Sequence, residues 1–243
     1  MKTPLLLIPL VGLCLVMACT AHSTSSLTQS SAYSQNGGEP IQKSLFNDPD
    51  RSISEEDIQR LLSGDIQLPE NARLAIYNVS AQSRSRSYGG TYYAWNDEEY
   101  LKTQQGYVDS LTSSLARSER IRKITLMPTL MSGEGASITQ LREATVRLQS
   151  DLLLIYSVKS DIYYRYKVFS ADEAKAFATC EALLLDIRTG LVPYSTIFTR
   201  EQLARKKTSG STIEEVRKEA ERQAVTMALQ ALGEGVREFL KEP

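Results

Sequence analysis

The sequence predicts an α/β (α+β) fold: a single mixed β-sheet covered by helices, with a long C-terminal helix and a flexible N-terminal tether. Residues 152–158, LLLIYSV, are a near-continuous apolar run, which is typical of a strand covered on both faces. Apolar residues later recur at helical spacing from Ile213 to Leu232, which predicts the long helix. The predicted elements follow the order β-α-β-α-β-β-β-β-α, without an internal repeat.

The N-terminal segment is typical of an exported protein. Lys2 is followed by an apolar run from Leu5 to Met17. At ~1.5 Å per helical residue this run reaches about 20 Å, short of the ~30 Å hydrocarbon core of a bilayer. A polar stretch comes next, so we expect residues 1–18 to be a signal peptide rather than a membrane span.

Residues Val16-Met17-Ala18-Cys19 resemble the lipobox of bacterial lipoproteins. The resemblance implies cleavage between Ala18 and Cys19, and acyl chains on Cys19 that hold the protein on a lipid bilayer. Thr20 stands where an aspartate is associated with inner-membrane retention, so the resemblance implies the periplasmic face of the outer membrane. The alternative is ordinary secretory cleavage near Ala18 or Ala21, with Cys19 incidental.

Three further segments are predicted after the signal peptide. Residues 19–50 are rich in Ser, Thr, Gln and Gly, and we expect them to be the lipidated cysteine and a disordered tether. Residues 51–67 contain a short helix that begins after Ser54 and is expected to pack on the domain through its apolar residues. Residues 68–243 form the α/β domain.

The first half of this domain alternates strands and helices. Residues 72–80 and 121–130 are predicted strands. A loop at 81–96 and a helix beginning at Asp97 separate them. Residues 137–140, Ser-Ile-Thr-Gln, have the pattern of a capping box, which predicts the start of a second helix.

The second half of the domain is predicted to contain four strands and the last helix. The strands are expected at 152–158, 161–169, 177–187 and 191–198. A basic, polar segment then precedes a helix capped by Ser211 or Thr212. Gly233 and Gly235 are expected to loosen the end of this helix.

Composition argues against several classes of function. The 28 Lys and Arg residues are matched by 29 Asp and Glu, so the chain has no basic excess for nucleic acid. The one histidine, His22, lies in the predicted tether, so the domain lacks a Ser-His-Asp or Cys-His arrangement and a His-ligated metal. We therefore expect no enzyme activity, no cofactor and no metal.

The stretch LLLDIRTG, residues 183–190, allows two interpretations. An aspartate at a strand end before Thr-Gly is how phosphoaspartyl enzymes present a nucleophile, but such a site continues into a helix. Here another predicted strand follows, which favours a hairpin corner. Asp186, Thr189 and Gly190 are then structural turn residues, because a carboxylate before a tight turn accepts backbone N–H groups and glycine supplies the positive φ.

Two neighbouring residues of the same strand are further candidates. By alternation Glu181 shares a face with Leu183, and a buried carboxylate there would mark a site. The simpler expectation is that Glu181 pairs with a nearby Arg, Lys or Tyr, or is exposed. Cys180 lies on the opposite face and is expected to be a small buried hydrophobe.

The loop at 81–96 carries the side chains that most often dominate protein–protein interfaces. Tyr, Trp and Arg are enriched among such residues. The candidate partner-binding residues are Arg84, Arg86, Tyr88, Tyr92, Tyr93 and Trp95. Two interpretations stay open: a surface that binds a partner, or a loop folded back so that its aromatic residues complete the core.

Three stretches of the domain resemble a known family. They are LREATVRLQSDLLLIYSV, YYRYKVFSADEAKAFATCEALLLDIRTGLVP and STIFTRE. They resemble the rhombotarget lipoproteins, which occur beside a rhomboid-type protease, over residues 70–203. Some members carry a glycine-rich C-terminal processing tail, whereas this chain ends VREFLKEP. The order of elements also resembles, more distantly, the curli-secretion and penicillin-binding-protein-activator lipoproteins. These resemblances imply a fold and a compartment, and no reaction.

The sequence therefore predicts a membrane-anchored bacterial envelope lipoprotein. Its non-catalytic α/β domain is expected to bind or scaffold another envelope protein, with no nucleic acid and an unknown oligomeric state. One alternative is a subunit of an oligomeric outer-membrane export assembly. Another is a carboxylate-dependent envelope hydrolase, which needs two facing acids. Glu181 and Asp186 are separated by an odd number of positions, so they leave opposite faces of a strand.

Overall fold

The computed structural model describes residues 54–64, 66–79, 98–132, 136–165, 173–205 and 212–241. The helices are α1 (Glu55–Leu62), α2 (Glu98–Leu115), α3 (Thr129–Ser132), α4 (Ile138–Arg147) and α5 (Ile213–Lys241). The strands are β1 (Ala72–Asn78), β2 (Ile121–Leu126), β3 (Leu152–Arg165), β4 (Glu173–Asp186) and β5 (Tyr194–Arg205). No helix among these described residues is both long enough and apolar enough to cross a membrane.

The strands form one mixed sheet, in the order β2-β1-β3-β4-β5. Strand β1 is parallel to β2 and β3, whereas β3–β4 and β4–β5 are antiparallel. The predicted class, a mixed sheet with a long C-terminal helix, is confirmed. Because β3 and β4 are much longer than β1, the antiparallel half of the sheet extends beyond the parallel half.

Helices α2 and α5 cover one face of this sheet. Side chains from both helices join alternate residues of the strands in a single core that includes Leu111, Leu154, Leu184, Leu229 and Leu232. Thr212 begins α5: its hydroxyl accepts the N–H of Glu215 (3.2 Å), and a Glu215 carboxylate oxygen accepts the N–H of Thr212 (3.0 Å). This reciprocal pair satisfies two N–H groups that the helix start would otherwise leave unpaired.

The opposite face is covered over part of its length by α4. Ser137 and Gln140 form the predicted capping box at the start of this helix. Leu141 and Ala144 of α4 pack with Leu153 and Leu185 in a second, smaller core. Its β3 and β4 members extend along the strands as far as Ile155 and Leu183, so the outer part of the antiparallel strands projects past α4.

The number of strands in the second half of the domain was predicted wrongly. Residues 152–158 and 161–169 were expected to be two strands, but β3 runs without a break from Leu152 to Arg165. The polar residues at 159–161 suggested a loop, yet Lys159 and Asp161 continue the alternation on the face that α4 leaves uncovered. Strands β4 and β5 are likewise longer than expected, and β5 includes residues 201–205 of the segment that was predicted to be basic and polar.

The two glycines near the end of α5 do not loosen it, because the helix continues to Lys241. Gly233 lies where α5 crosses α2. A Cβ atom on Gly233 would be 2.5 Å from the Cβ of Ser114 and 3.3 Å from the carbonyl oxygen of Leu111. The missing side chain therefore allows the two helices to approach closely.

Two smaller expectations also change. Helix α1 begins after Ser54 as predicted, but none of its residues is buried, and Leu62 is 83% exposed. Its three apolar side chains belong to neither core cluster. The strand expected at 121–130 ends at Leu126, and Pro128 precedes the short helix α3.

Candidate functional site

The antiparallel strands present a surface that we call the open face. It consists of four cross-strand rows on the side of the sheet that α4 leaves uncovered. In the order β3, β4, β5 the rows are Ser157–Glu181–Ile197, Lys159–Thr179–Thr199, Asp161–Phe177–Glu201 and Tyr163–Lys175–Leu203. The strict alternation of side chains places these odd-numbered residues on one face.

Exposure differs sharply between the two faces of these strands. Tyr163, Ile197 and Leu203 on the open face are 62%, 72% and 45% exposed. On the other face Ala178 and Cys180 are fully buried against the helices. One face of these strands therefore exposes large apolar side chains to solvent, whereas the other face is packed against the helices.

The outer end of the open face is ordered by contacts among its own side chains. The Tyr163 and Phe177 rings meet edge to face with centroids 5.5 Å apart. The Lys175 ammonium lies 4.9 Å from the Phe177 centroid and 2.7 Å from a carboxylate oxygen of Glu201. These contacts hold the aromatic and charged side chains of the surface in place.

The inner end of the open face is a groove of about 460 Å³. Its apolar walls come from Val79, Ile155, Leu183 and Ile197, and Glu181 is the one charged residue among the described residues that line it. Glu181 is exposed, which is one of the two arrangements expected from the sequence. A second cleft of about 400 Å³ lies between α3 and α4, where Glu143 pairs with Arg147.

The structure places Asp186 in the turn between β4 and β5. Its carboxylate accepts the N–H groups of Arg188 and Thr189, each at 3.2 Å, and the hydroxyl of Thr189 at 2.5 Å. Gly190 has a φ of 77°, the left-handed conformation that favours glycine. Asp186 is 5% exposed and both of its carboxylate oxygens accept hydrogen bonds from turn residues, so it holds the hairpin corner.

Arg142 of α4 braces the same turn, a role that the sequence did not reveal. Its guanidinium donates to the carbonyl oxygen of Ile187 at 2.9 and 3.2 Å and to that of Arg188 at 3.3 Å. Arg142 also lies against Gly190, where an added Cβ would be 3.0 Å from a guanidinium nitrogen. These hydrogen bonds join residues far apart in the chain, so no local sequence pattern indicated them.

A second long-range pair joins β1 to the start of β3. The guanidinium of Arg73 donates to both carboxylate oxygens of Asp151, at 3.0 and 2.8 Å, and the Arg73 backbone N–H donates at 3.0 Å. The hydrogen bonds from Arg73 lower the pKa of Asp151, although partial desolvation opposes this effect. This pair fixes the parallel register of the two strands.

Cys180 is a packing residue. It is fully buried between Ala178 and Ala182 on the helix-covered face. Burial raises the pKa of its thiol to about 12, and the charge of Glu181 adds to the shift. The thiolate that cysteine chemistry requires is therefore suppressed at neutral pH.

The remaining predicted site residues lie outside the described residues. These are Ala18 and Cys19 of the expected cleavage and lipidation site, and Arg84, Arg86, Tyr88, Tyr92, Tyr93 and Trp95 of the loop. Val79, which lines the groove, is the last described residue before that loop segment. Within the described part of the chain, no group of three or more His, Cys, Asp or Glu residues is arranged to hold a metal ion.

Comparison with known proteins finds no matching family model and no matching curated protein. The chain is similar in fold to a Xanthomonas campestris protein of the family DUF330, with 16% identity, 73% of this chain and 91% of that chain covered, and a TM-score of 0.41. It is also similar to a minor lipoprotein from Acinetobacter baumannii, with 8% identity, 70% and 93% covered, and a TM-score of 0.36.

A third similar structure is the lipoprotein GNA1162 from Neisseria meningitidis, with 12% identity, 69% and 99% covered, and a TM-score of 0.34. Solved structures that share features of this fold thus include bacterial lipoproteins. At such identities and TM-scores the similarities carry no argument about activity or partner. The resemblance to rhombotarget lipoproteins is not confirmed by these comparisons and stays a prediction.

Proposed function

We propose that this protein is a lipid-anchored component of a bacterial envelope whose α/β domain binds another envelope protein through the open face. The observation that carries the proposal is the exposure of Tyr163, Ile197 and Leu203 on one rigid sheet surface. They stand at the two ends of the face, Ile197 in its first row and Tyr163 and Leu203 in its last, where they can act as apolar anchors for a protein partner.

The composition of the open face supports a protein partner. Its apolar residues are interleaved with Lys159, Asp161, Lys175 and Glu201, and hydroxyls of Thr179 and Thr199 meet at 3.0 Å between the two ends. Apolar anchors surrounded by polar groups are the usual composition of a non-obligate interface. The face offers side chains for recognition over three adjacent strands, without requiring the domain to change shape.

The edge of the sheet supports the same proposal. Strand β5 has a hydrogen-bonded neighbour only on the β4 side within the described sheet. It contains no proline, so each of its residues has a backbone N–H group that can take part in strand pairing. An extended segment of a partner that lies on the open face could therefore also pair with β5.

A binding role fits the carboxylates better than hydrolysis does. Glu181 lies on the open face, whereas the Asp186 carboxylate is buried in the turn and bonded to Thr189. A glycosidase-like mechanism needs two carboxylates that face one substrate. These two acids do not form such a pair.

The anchor is proposed from the lipobox. Two or more acyl chains on Cys19 would give stable attachment, because each buried methylene contributes ~0.8 kcal/mol. Cys19→Ser is expected to abolish labelling by radioactive palmitate and to release the protein from the membrane fraction. Palmitate labelling of the variant at the wild-type level would contradict the anchor without touching the binding proposal. We place the anchored protein at the periplasmic face of the outer membrane, and density fractionation of the envelope tests that placement.

The loop that follows Val79 is a second proposed contact, on sequence grounds. Replacing Tyr92, Tyr93 and Trp95 together with alanine is expected to weaken partner binding, because such residues carry a large share of interface energy. Unchanged binding together with a lower unfolding temperature would assign these rings to the core instead.

In-cell photo-crosslinking tests the binding proposal. A benzoylphenylalanine replaces Thr199, an exposed residue near the middle of the open face, in the full chain. Irradiation is expected to give an adduct with an envelope protein, which mass spectrometry identifies. The matched control carries the same probe at Glu234, an exposed position on α5. Equal adducts at both positions, or none at Thr199, would contradict the proposal.

A further inference from the structure

The groove at the inner end of the open face has a composition that selects its ligand. Val79, Ile155, Leu183 and Ile197 supply apolar walls, and the carboxylate of Glu181 lies among them. The groove volume of about 460 Å³ lies within the ~300–1,000 Å³ of ligand-binding pockets. It can therefore hold a side chain together with the apolar residues on either side of it.

Glu181 has no cationic partner within the described protein. Among the described residues, Lys175 pairs with Glu201 in the two outer rows of the open face, and Arg205 pairs with Glu173 in the row beyond them. Lys159 occupies the adjacent row, and no salt bridge joins it to Glu181 in the described part of the chain. The other described residues that line the groove are uncharged.

This arrangement penalises most occupants. A purely apolar group would remove water from Glu181 and leave the carboxylate unpaired, which is costly. An anionic group would be repelled. A Lys or Arg side chain avoids both costs, because its methylene stem lies along apolar surface while its charged end pairs with the carboxylate.

We propose that the groove binds a basic side chain, Lys or Arg, presented by an apolar segment of the envelope protein that the open face recognises. This inference rests on the proposed function, and it adds the chemistry of the partner's contact residue. The hydroxyls of Ser157 and Ser195, both at the groove, are acceptors for the remaining N–H groups of a guanidinium.

The first test uses the photo-crosslink from position 199 and a substitution that removes only the charge. Glu181→Gln keeps the shape of the side chain, and Glu119→Gln is the matched control, an exposed carboxylate between α2 and β2. We expect adduct yield to fall about tenfold in Glu181→Gln, as for loss of a charge-assisted contact of ~1.4 kcal/mol, and to stay unchanged in Glu119→Gln. Equal unfolding temperatures confirm that all three proteins are folded.

The second test does not depend on the natural partner. Acetyl-Val-Arg-Ile-amide and acetyl-Val-Gln-Ile-amide are titrated into the purified full chain, with the methyl NMR signals of Leu183 and Ile197 as the readout. The arginine peptide is expected to bind at least tenfold more tightly, and its advantage is expected to vanish in Glu181→Gln. Equal binding of the two peptides to the wild-type protein would overturn the inference.

The outcomes separate the two proposals. An adduct that is retained in Glu181→Gln would overturn the basic-residue inference and leave the proposed function standing. Absence of any adduct in the wild-type protein would contradict the proposed function, and the peptide titration would then decide whether the groove selects a cation.

Discussion

Replacing Gly233 by alanine tests the close crossing of α2 and α5, because it adds one carbon atom where the two helices touch. That carbon would be 2.5 Å from the Cβ of Ser114 and 2.7 Å from its hydroxyl oxygen, whereas unstrained carbon–carbon contacts are about 3.5–4.0 Å. The two helices must therefore separate by about 1 Å at this point. Overpacking of this kind costs ~1–3 kcal/mol.

Two further effects enter the free energy of unfolding. Alanine is a better helix former than glycine by roughly 0.5–1 kcal/mol, which partly offsets the clash. Separation of the helices also weakens the bond from the Ser114 hydroxyl to the carbonyl oxygen of Gln230, now 3.3 Å, at a cost of up to about 1 kcal/mol. These terms together give a net destabilisation of roughly 0–3.5 kcal/mol for Gly233→Ala.

The matched control is Gly106→Ala in the exposed part of α2. Nothing lies within 4 Å of an added Cβ there, so only the helix propensity changes. This variant is expected to be more stable than the wild-type protein by roughly 0.5–1 kcal/mol. Urea unfolding followed by circular dichroism measures both variants against the wild-type protein.

A second substitution locates the clash. In a Ser114→Gly background the facing Cβ is gone, so Gly233→Ala is expected to lose most of its cost in a double-mutant cycle. The reasoning would be refuted if Gly233→Ala stabilised the protein as much as Gly106→Ala does. It would also be refuted if the cost were unchanged in the Ser114→Gly background.

Three other predictions follow from single contacts. Because Arg73 lowers the pKa of Asp151, the pair stabilises the protein above the unfolded-state pKa of the aspartate, and this stability is lost as pH falls through the lower folded-state pKa. Asp151→Asn should therefore reduce the loss of unfolding free energy at acid pH, as measured by urea titrations at several pH values. An unchanged pH profile would contradict this prediction. Asp186→Ala should lower the free energy of unfolding by ~1–3 kcal/mol, and Asp186→Asn by less, because its amide oxygen still accepts the Thr189 N–H. The photo-crosslink from position 199 should persist in both variants. Loss of the adduct in a variant of full stability would instead indicate a functional role for the carboxylate. Burial raises the pKa of Cys180 to about 12, so its thiol should resist iodoacetamide at pH 8 in the folded protein and react once urea unfolds the protein. Peptide mass spectrometry measures the extent of reaction, and equal rates in the two states would contradict the burial of Cys180.

Local patterns predicted the parts of the fold that local interactions determine. The capping box at Ser137 and Gln140 joins residues within one helical turn, and such a pattern is visible in the sequence itself. The apolar run from Leu152 likewise predicted a buried strand, since both of its faces are covered at that end. Alternation then placed Glu181 and Cys180 on opposite faces of β4.

Long-range contacts could not be predicted in the same way. Arg142 meets the β4–β5 turn from 45 residues away, and Arg73 meets Asp151 from 78 residues away. Nothing near either arginine in the sequence indicates its partner. Gly233 was misinterpreted for a related reason: a glycine in a helix suggests weakness until the neighbouring helix that occupies its space is known.

The open face escaped prediction because strand length was misjudged. The prediction divided β3 near Lys159 and made β4 and β5 too short, so the rows that cross the three strands could not be assembled. Once β3 is continuous, Tyr163, Phe177 and Leu203 fall on one surface. The exposed end of a sheet is therefore harder to predict than its core, since polar and apolar residues mix there.

Cysteine accessibility in intact envelopes tests the central claim most directly. Ile197→Cys places a thiol on the open face, and Glu234→Cys places one on the exposed side of α5, while the buried Cys180 contributes little background. Both new thiols should react readily with a maleimide in the purified protein. In intact envelopes we expect the bound partner to protect position 197 while position 234 still reacts. Equal labelling of position 197 in envelopes and in the purified protein would contradict the claim that the open face is occupied by another envelope protein.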